Sequence, residues 1–239
     1  AVSAGSFTAL LTVTGTGSCP AAVVTSARII SWGTAGTWTG AVSSDWFTSG
    51  NWCGGVPLSI TNIQIPPASQ VLFSPTIGAS NARCQNITLS GTVSIANGYN
   101  LDVYGNWINN AGAITGSTGT ISFRGITKTI GGTTSTSFPG IIISQGASYT
   151  MNNGNSCTSL LFSQGSTSSL TLSGSSLTVN GNINIVNPAS GSTNTFNINN
   201  GTVAVSGNVT IGNGTSLSSR IAKIVVGSGV LSIAGDLSF

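Results

Sequence analysis

The chain has 239 residues, only 4% of them charged, and its formal net charge of +3 comes from six Lys and Arg against three Asp. The absence of His excludes Ser-His-Asp and Cys-His catalysis, and the isolated Asp45, Asp102 and Asp236 do not form a general acid–base pair. The basic residues are scattered, which argues against nucleic-acid partners, and no apolar run approaches the ~18–20 residues of a membrane span. We therefore expect a chain that is not an enzyme and that has no cofactor and no metal site.

Residues 1–31 are predicted to form a β-hairpin. Two alternating runs, Phe7–Gly15 and Val23–Ser31, flank the turn-rich linker Thr16–Pro20. An isolated hairpin is marginally stable, so this one either packs on the rest of the chain or ends a preceding domain. It is similar to the last two strands of the immunoglobulin-like repeats of long bacterial surface proteins.

Residues 32–84 begin with four of the five tryptophans, Trp32, Trp38, Trp46 and Trp52. One hypothesis is that they cap the open end of a solenoid, because such an end exposes a bare core and unpaired strand edges. The alternative is a glycan platform formed by Trp38, Trp46 and Trp52.

Residues 85–239 read as short strands separated by Gly and Asn. A pattern of alternating strands ending in Gly-Asn or Gly-Asp recurs at nearly regular intervals at Gly181, Gly207 and Gly235, and is found again at Gly105. A repeat of this length built from strands predicts an all-β, parallel β-solenoid with rungs of about 25 residues. The coil is expected to be right-handed, as parallel crossovers almost always are.

The recurring Gly-Asn pair predicts a stacked corner. Gly is expected there because it adopts a positive φ without strain, and stacked Asn side chains can form a hydrogen-bonded ladder. The predicted corner ladder comprises Gly105, Asn106, Gly181, Asn182, Gly207, Asn208, Gly235 and Asp236.

The pattern W-x-G, S-x-D-W, G-N-W-x-G-x-V-P and I-P, which runs from Trp38 to Pro66, resembles the opening of β-solenoid segments in secreted surface proteins of gliding-type bacteria that use type IX secretion. Later stretches, such as Cys84–Leu89 and Leu101–Trp107, also match, and the similarity covers about residues 32–165. The resemblance implies a secreted, adhesin-like, cell-surface protein with a disulfide between Cys53 and Cys84. Full-length members end in a sorting domain that this chain lacks, so we expect it to be a segment of a larger protein.

The four cysteines, Cys19, Cys53, Cys84 and Cys157, lack the CxxC spacing of a zinc site. With so little charge, they favour disulfides in an extracytoplasmic setting. Buried free thiols are the alternative.

These observations predict a non-catalytic structural or adhesive segment of a long extracellular or filament-forming protein. Its partners would be further copies or neighbouring domains, end to end, and possibly glycans. The alternatives are a carbohydrate-binding module that uses the Trp-rich segment and an ice-binding β-solenoid. The positions at which Thr-x-Thr occurs include 12, 37, 127, 134 and 193, and the gaps between these predict no continuous threonine ladder.

Overall fold

The computed structural model describes residues 6–9, 28–31, 34–116, 118–212 and 219–239. Strands β1 (Ser6–Ala9) and β2 (Arg28–Ser31) pair antiparallel, as expected for a hairpin. The predicted linker between them, with Cys19, lies outside the described residues, as does Trp32. The origin of this hairpin in an immunoglobulin-like domain stays a prediction.

The rest of the described chain contains two short 3-10 turns, Ser49–Asn51 and Ala68–Gln70, and successive triplets of strands. The triplets are, in chain order, β3 (Ile63–Ile65), β4 (Thr76–Ile77) and β5 (Ala82–Cys84); β6 (Ile87–Leu89), β7 (Thr92–Ile95) and β8 (Asn100–Val103); β9 (Trp107–Asn109), β10 (Ala113–Thr115) and β11 (Thr120–Phe123); β12 (Lys128–Gly132), β13 (Ser137–Phe138) and β14 (Ile141–Ile143); β15 (Ser148–Met151), β16 (Asn155–Cys157) and β17 (Leu160–Phe162); β18 (Ser168–Leu172), β19 (Ser176–Val179) and β20 (Ile183–Ile185); β21 (Thr193–Asn197), β22 (Thr202–Val205) and β23 (Val209–Ile211); β24 (Ile221–Val225), β25 (Val230–Ile233) and β26 (Leu237–Ser238).

Each strand of a triplet lies on a different face of one coil and pairs in parallel with its equivalents in the turns before and after it. Face 1 contains the first strand of every triplet, and face 3 contains the last, so each is an eight-stranded sheet. Face 2 contains the middle strands and is divided into a three-stranded and a five-stranded sheet. The predicted parallel β-solenoid is therefore confirmed, with about seven turns, whereas its right-handed coil stays a prediction.

Rung length varies along the solenoid, around a typical value of about 22 residues. Ile87 pairs with Trp107 in the next turn, whereas Phe196 pairs with Ile224, which lies farther along the chain from its partner. The rung length of about 25 residues expected from the sequence exceeds this typical value, because the expectation rests on repeat copies near the C-terminal end, where the rungs are long. Because paired strands must keep the same register, the extra residues are accommodated in the corners.

The core fills the inside of the coil. Inward and outward residues alternate along the strands, as in β6, where Ile87 and Leu89 are fully buried and Thr88 is half-exposed. Burying one such aliphatic side chain stabilises the fold by about 1.5–3 kcal/mol. Midway along the core four rings pack together: Trp107 lies 5.1 Å from Phe138, and Phe123 lies 4.8 Å from Tyr149, between ring centroids.

The division of face 2 falls beside this ring cluster, between β10 and β13. These strands are close but belong to separate sheets, and buried side chains provide the hydrogen bonds at the gap, which we call the face 2 break. The Asn109 amide donates to the Ser135 carbonyl (2.9 Å) and to Thr136 Oγ1 (3.0 Å), and it accepts from the Gly112 N–H (2.8 Å). Asn155 Oδ1 accepts from the Thr136 N–H at 2.8 Å. The interruption in the backbone ladder is therefore filled by amide side chains.

The last described turn, β24 to β26, is more exposed than the turns before it. Val230 is 53% exposed and Leu237 48%, and Ile224, Leu231 and Ile233 are only partly buried. Among the described residues these strands have no partner on their outer edge, so the apolar residues of this turn are covered on one side alone.

Candidate functional site

The predicted corner ladder exists as two ladders at two different corners. Where face 3 turns into face 1, the Asn86 amide donates to Asn62 Oδ1 (2.7 Å), and the Asn106 N–H donates to Asn86 Oδ1 (2.7 Å). The Thr129 N–H continues the ladder by donating to Asn106 Oδ1 at 2.9 Å. Asn62, Asn86 and Thr129 were not predicted as members.

The second ladder lies where face 2 turns into face 3. There the Asn208 N–H donates to Asn182 Oδ1 (2.8 Å), and the Asp236 N–H donates to Asn208 Oδ1 (2.9 Å). The prediction that Gly105-Asn106 stacks with the other three pairs is therefore wrong. The rungs in this part of the solenoid are short. The strand registers place Thr171 three turns after Asn106, at the equivalent position, so Asn182 lies farther along the chain, at the next corner.

The corner glycines are required for a different reason from the one expected. None of Gly105, Gly181, Gly207 and Gly235 has a positive φ. A Cβ on Gly207 would instead collide with the side-chain oxygen of Asn182 and with the Gly181 backbone, and Gly235 stands in the same relation to Asn208. At these positions glycine is needed because the ladder side chain of the preceding turn lies against its Cα, whereas at Gly181 the Thr158 carbonyl occupies that place.

The Trp-rich segment lies against the first turn of the solenoid. Thr37 forms a parallel bridge with Gln64 of β3, and Asp45 forms one with Thr76 of β4. The rings of Trp38, Trp46 and Trp52 are edge-packed against one another, with centroids 4.7–4.9 Å apart for the two contacts that Trp52 makes.

These three rings are at most 5% exposed, and two of them are hydrogen-bonded through Nε1: Trp38 to the Phe73 carbonyl and Trp52 to the Trp46 carbonyl, each at 2.7 Å. A sugar-stacking platform requires an accessible ring face. The observed packing therefore corrects the hypothesis that Trp38, Trp46 and Trp52 form a glycan platform, because their faces are used in contacts with one another.

The predicted disulfide between Cys53 and Cys84 is not formed. Both thiols are free and are not at bonding distance, and Cys157 is also free. Cys84 faces the core from β5, while Cys53 lies half-exposed in the Trp-rich segment, where its N–H donates to the Thr37 carbonyl. Burial raises the pKa of Cys84 far above its usual value, with a smaller contribution from Asp102, and burial raises the pKa of Cys157 to about 12.

The three carboxylates lie in separate places, and those of Asp45 and Asp102 have structural contacts. Asp45 accepts from the Thr48 hydroxyl at 2.8 Å, and Asp102 lies 3.0 Å from the Arg124 guanidinium. In the described part of the chain, no group of three or more His, Cys, Asp or Glu could hold a metal ion.

A groove of about 310 Å³ lies where the Trp-rich segment meets face 1. Its lining includes Thr37, Gln64 and Thr88, which stand in register on three neighbouring stretches of backbone. The corner leading to face 2 contributes Pro66, Pro67 and Gln70. Sequence reasoning missed this groove, because nothing local to Thr37 indicates that it pairs with Gln64.

No helix in the described ranges is long and apolar enough to cross a membrane. Comparisons with protein-family models, with curated proteins and with solved structures give no significant match.

Proposed function

We propose that the chain is a structural and adhesive segment of a long extracellular surface or filament-forming protein, and that it acts without catalysis. The observation that carries this proposal is the parallel stacking of eight strands on each of faces 1 and 3. Such stacking places each turn chiefly against its neighbours, which is the construction of an extended, repeatable scaffold.

The surface location and the type IX secretion route are supported by the resemblance of the segment from Trp38 to Pro66. The near absence of charge also fits a scaffold whose stability depends on apolar burial and backbone hydrogen bonds. We infer that the Trp-rich segment protects the first turn, since its bridges to β3 and β4 occupy strand edges that would otherwise be open.

The scaffold is short in a single chain. Eight strands at about 4.8 Å per spacing span about 34 Å. A long rod or filament therefore needs further turns or further copies stacked on the solenoid. The exposed edges and half-buried apolar residues of the last turn are suited to such end-to-end contact, because an open strand edge can pair with another chain.

The test compares two lysine substitutions on the same edge strand. Leu231 is part of the partly buried core at that end, whereas the neighbouring Val230 is an outward residue of the same strand, β25. Leu231→Lys places a charge where the next layer would pack, and Val230→Lys adds the same charge to the outer face. Sedimentation velocity over a range of concentrations measures self-association.

We expect wild-type chain to associate as its concentration rises, and Leu231→Lys to weaken that association more than Val230→Lys does. A strictly monomeric wild-type chain, or equal effects of the two substitutions, would contradict stacking through this end. Circular dichroism checks that both variants remain folded.

A second candidate function, ice binding, is favoured by one observation on face 1. Thr129, Thr150 and Thr171 are in register on successive turns. Beside them runs a second column, Ser148, Ser169 and Thr195. The threonine gaps in the sequence predicted no continuous ladder, but serine positions and short rungs bring these hydroxyl residues into two adjacent columns.

Thermal hysteresis tests this candidate. If face 1 binds ice, wild-type chain will depress the freezing point relative to the melting point, and Thr150→Lys will abolish the effect. Thr178→Lys, on the exposed surface of face 2, is the matched control and should leave it unchanged. Absence of hysteresis in the wild-type chain dismisses ice binding without affecting the structural proposal.

A further inference from the structure

The groove beside the Trp-rich segment contains polar side chains that the fold does not use. Gln64, Gln70, Thr88 and Ser90 line it, and their side chains make no hydrogen bond to any other described residue. The backbone beneath them is already paired: the Trp38 N–H donates to the Gln64 carbonyl at 2.9 Å, and the Ser90 N–H donates to the Ile65 carbonyl at 2.9 Å. The free groups are therefore available to a ligand without cost to the local fold.

The unpaired hydroxyl of Thr37 is the observation that most strongly indicates a ligand. It lines the groove and is 6% exposed, and its buried Oγ1 has no hydrogen-bond partner among the described residues. A buried hydroxyl without a partner costs about 1–3 kcal/mol. A bound group that donates to or accepts from this hydroxyl would remove that penalty.

The chemistry of the lining selects a class of ligand. None of the described residues that line the groove is charged, which disfavours anions and cations alike. Its two glutamines each offer a donor and an acceptor, and its hydroxyls can act as either. Pro66 and Pro67 add apolar surface beside these polar groups. Alternating hydroxyls and C–H surface are the features of a neutral carbohydrate.

We propose that this groove binds a neutral saccharide of one or two sugar units. Its volume of about 310 Å³ is at the lower end of the range of ligand pockets, which sets this size. Thr37, Gln64 and Gln70 supply hydrogen bonds to sugar hydroxyls, and the two prolines contact a sugar face. The site differs from a tryptophan platform, because Trp38, the tryptophan that lines it, is fully buried and offers no open ring face. Sugar binding here is independent of the structural function proposed above, since a chain that never self-associates could bind sugar equally well.

The experiment titrates the full chain with neutral disaccharides (cellobiose, maltose, mannobiose and diacetylchitobiose) and with anionic digalacturonic acid. Binding is followed by isothermal titration calorimetry and by amide chemical shifts. We expect at least one neutral disaccharide to bind, to shift amides between Thr37 and Ser90, and to bind more tightly than digalacturonic acid. Thr37→Val keeps the side-chain shape and should weaken binding about tenfold, as expected for one hydrogen bond.

Gln70→Ala is the second variant, because its side chain is exposed and its loss should leave the fold intact. It should weaken binding several-fold even if Thr37→Val alters the local packing. Thr178→Val, on the exposed surface of face 2, is the matched control and should bind as wild type does. The proposal is overturned if no neutral disaccharide binds, if the anionic disaccharide binds most tightly, or if Gln70→Ala and Thr37→Val both bind as wild type does.

Discussion

Faces 1 and 3 differ from face 2 in how hydrogen bonds join successive turns. In faces 1 and 3 every strand pairs with the next, so backbone groups satisfy one another along the whole solenoid. In face 2 the ladder stops at β10 and resumes at β13, and Asn109 supplies hydrogen bonds across the gap to Ser135 and Thr136, while Asn155 holds Thr136 from the following turn. The difference shows that this solenoid tolerates an irregular rung when buried amides replace the missing strand pairing.

Where side-chain amides replace strand pairing, a few side chains make a large contribution to the free energy of unfolding. A backbone ladder distributes its hydrogen bonds over many residues, whereas the face 2 break depends on the fully buried amide of Asn109. We therefore expect substitutions at the break to cost far more than equivalent substitutions at the exposed corner ladders.

The largest effect is expected for Asn109→Ala. It leaves the Ser135 carbonyl and the Gly112 N–H without the Asn109 amide, whereas Thr136 Oγ1 still accepts from Trp107 Nε1 at 3.1 Å. Unsatisfied buried groups cost ~1–3 kcal/mol each. The free energy of unfolding, measured by urea denaturation, should fall by about 3–5 kcal/mol. Asn208→Ala, at an exposed corner, is the control and should cost about 1 kcal/mol or less, because water can replace its oxygen. Similar losses in the two variants would contradict the comparison.

A smaller loss is expected for Gly132→Ala, next to the break. Gly132 has a φ of 127°, and a Cβ there would collide with the backbone of Asn109. Strain and collision together should lower the free energy of unfolding by about 2–3 kcal/mol. Gly146→Ala provides the control, because Gly146 also has a positive φ (75°) but has open space where its Cβ would stand. It should cost about 1 kcal/mol; an equal loss at both sites would show that backbone strain alone, and not the packing at Asn109, matters.

The smallest expected effect is the pH dependence of stability that the two buried thiols cause. One of them lies on the interrupted face and the other on a continuous face. Cys157 lies in the five-stranded part of face 2 and Cys84 in face 3, and burial raises the pKa of both above the ordinary 9.0. The folded state therefore keeps these protons when the unfolded state has lost them. Stability should be constant below pH 9 and fall above it, by up to ~1.4 kcal/mol per pH unit for each thiol.

Urea denaturation between pH 8.5 and 9.5 measures this dependence, because the ordinary tyrosine pKa of 10.0 lies above that range and Tyr149, whose pKa burial also raises, contributes mainly at higher pH. Cys157→Ala should reduce the slope by about half, since Cys84 remains. An unchanged slope in this variant would show that Cys157 does not retain its proton in the folded state.

Much of the architecture could be predicted from the sequence. Alternating apolar residues predict strands, and the recurrence of Gly-Asn predicts stacked turns, because both depend on neighbours along the chain. The sequence could not assign Gly105 and Gly181 to different corners, since that assignment depends on rung lengths that change from one end of the solenoid to the other. The face 2 break was missed for a related reason: Asn109 reads as one of many surface asparagines until Thr136 is placed beside it.

Site prediction was weaker, because the groove depends on contacts distant in sequence. The sequence favours the tryptophans as a sugar platform, but the polar side chains without hydrogen-bond partners belong to Thr37 and Gln64 beside them. The pairing of Cys53 with Cys84 came from a resemblance and not from geometry, and the fold directs Cys84 into the core.

The parallel stacking of turns also sets how the segment responds to force. Hydrogen bonds between turns run along the solenoid axis, so tension applied between its ends loads one turn at a time instead of shearing all of them together. Each turn that detaches frees about 22 residues, a contour length of about 75 Å. In a tether under pull, the segment would lengthen in steps and dissipate energy at each step.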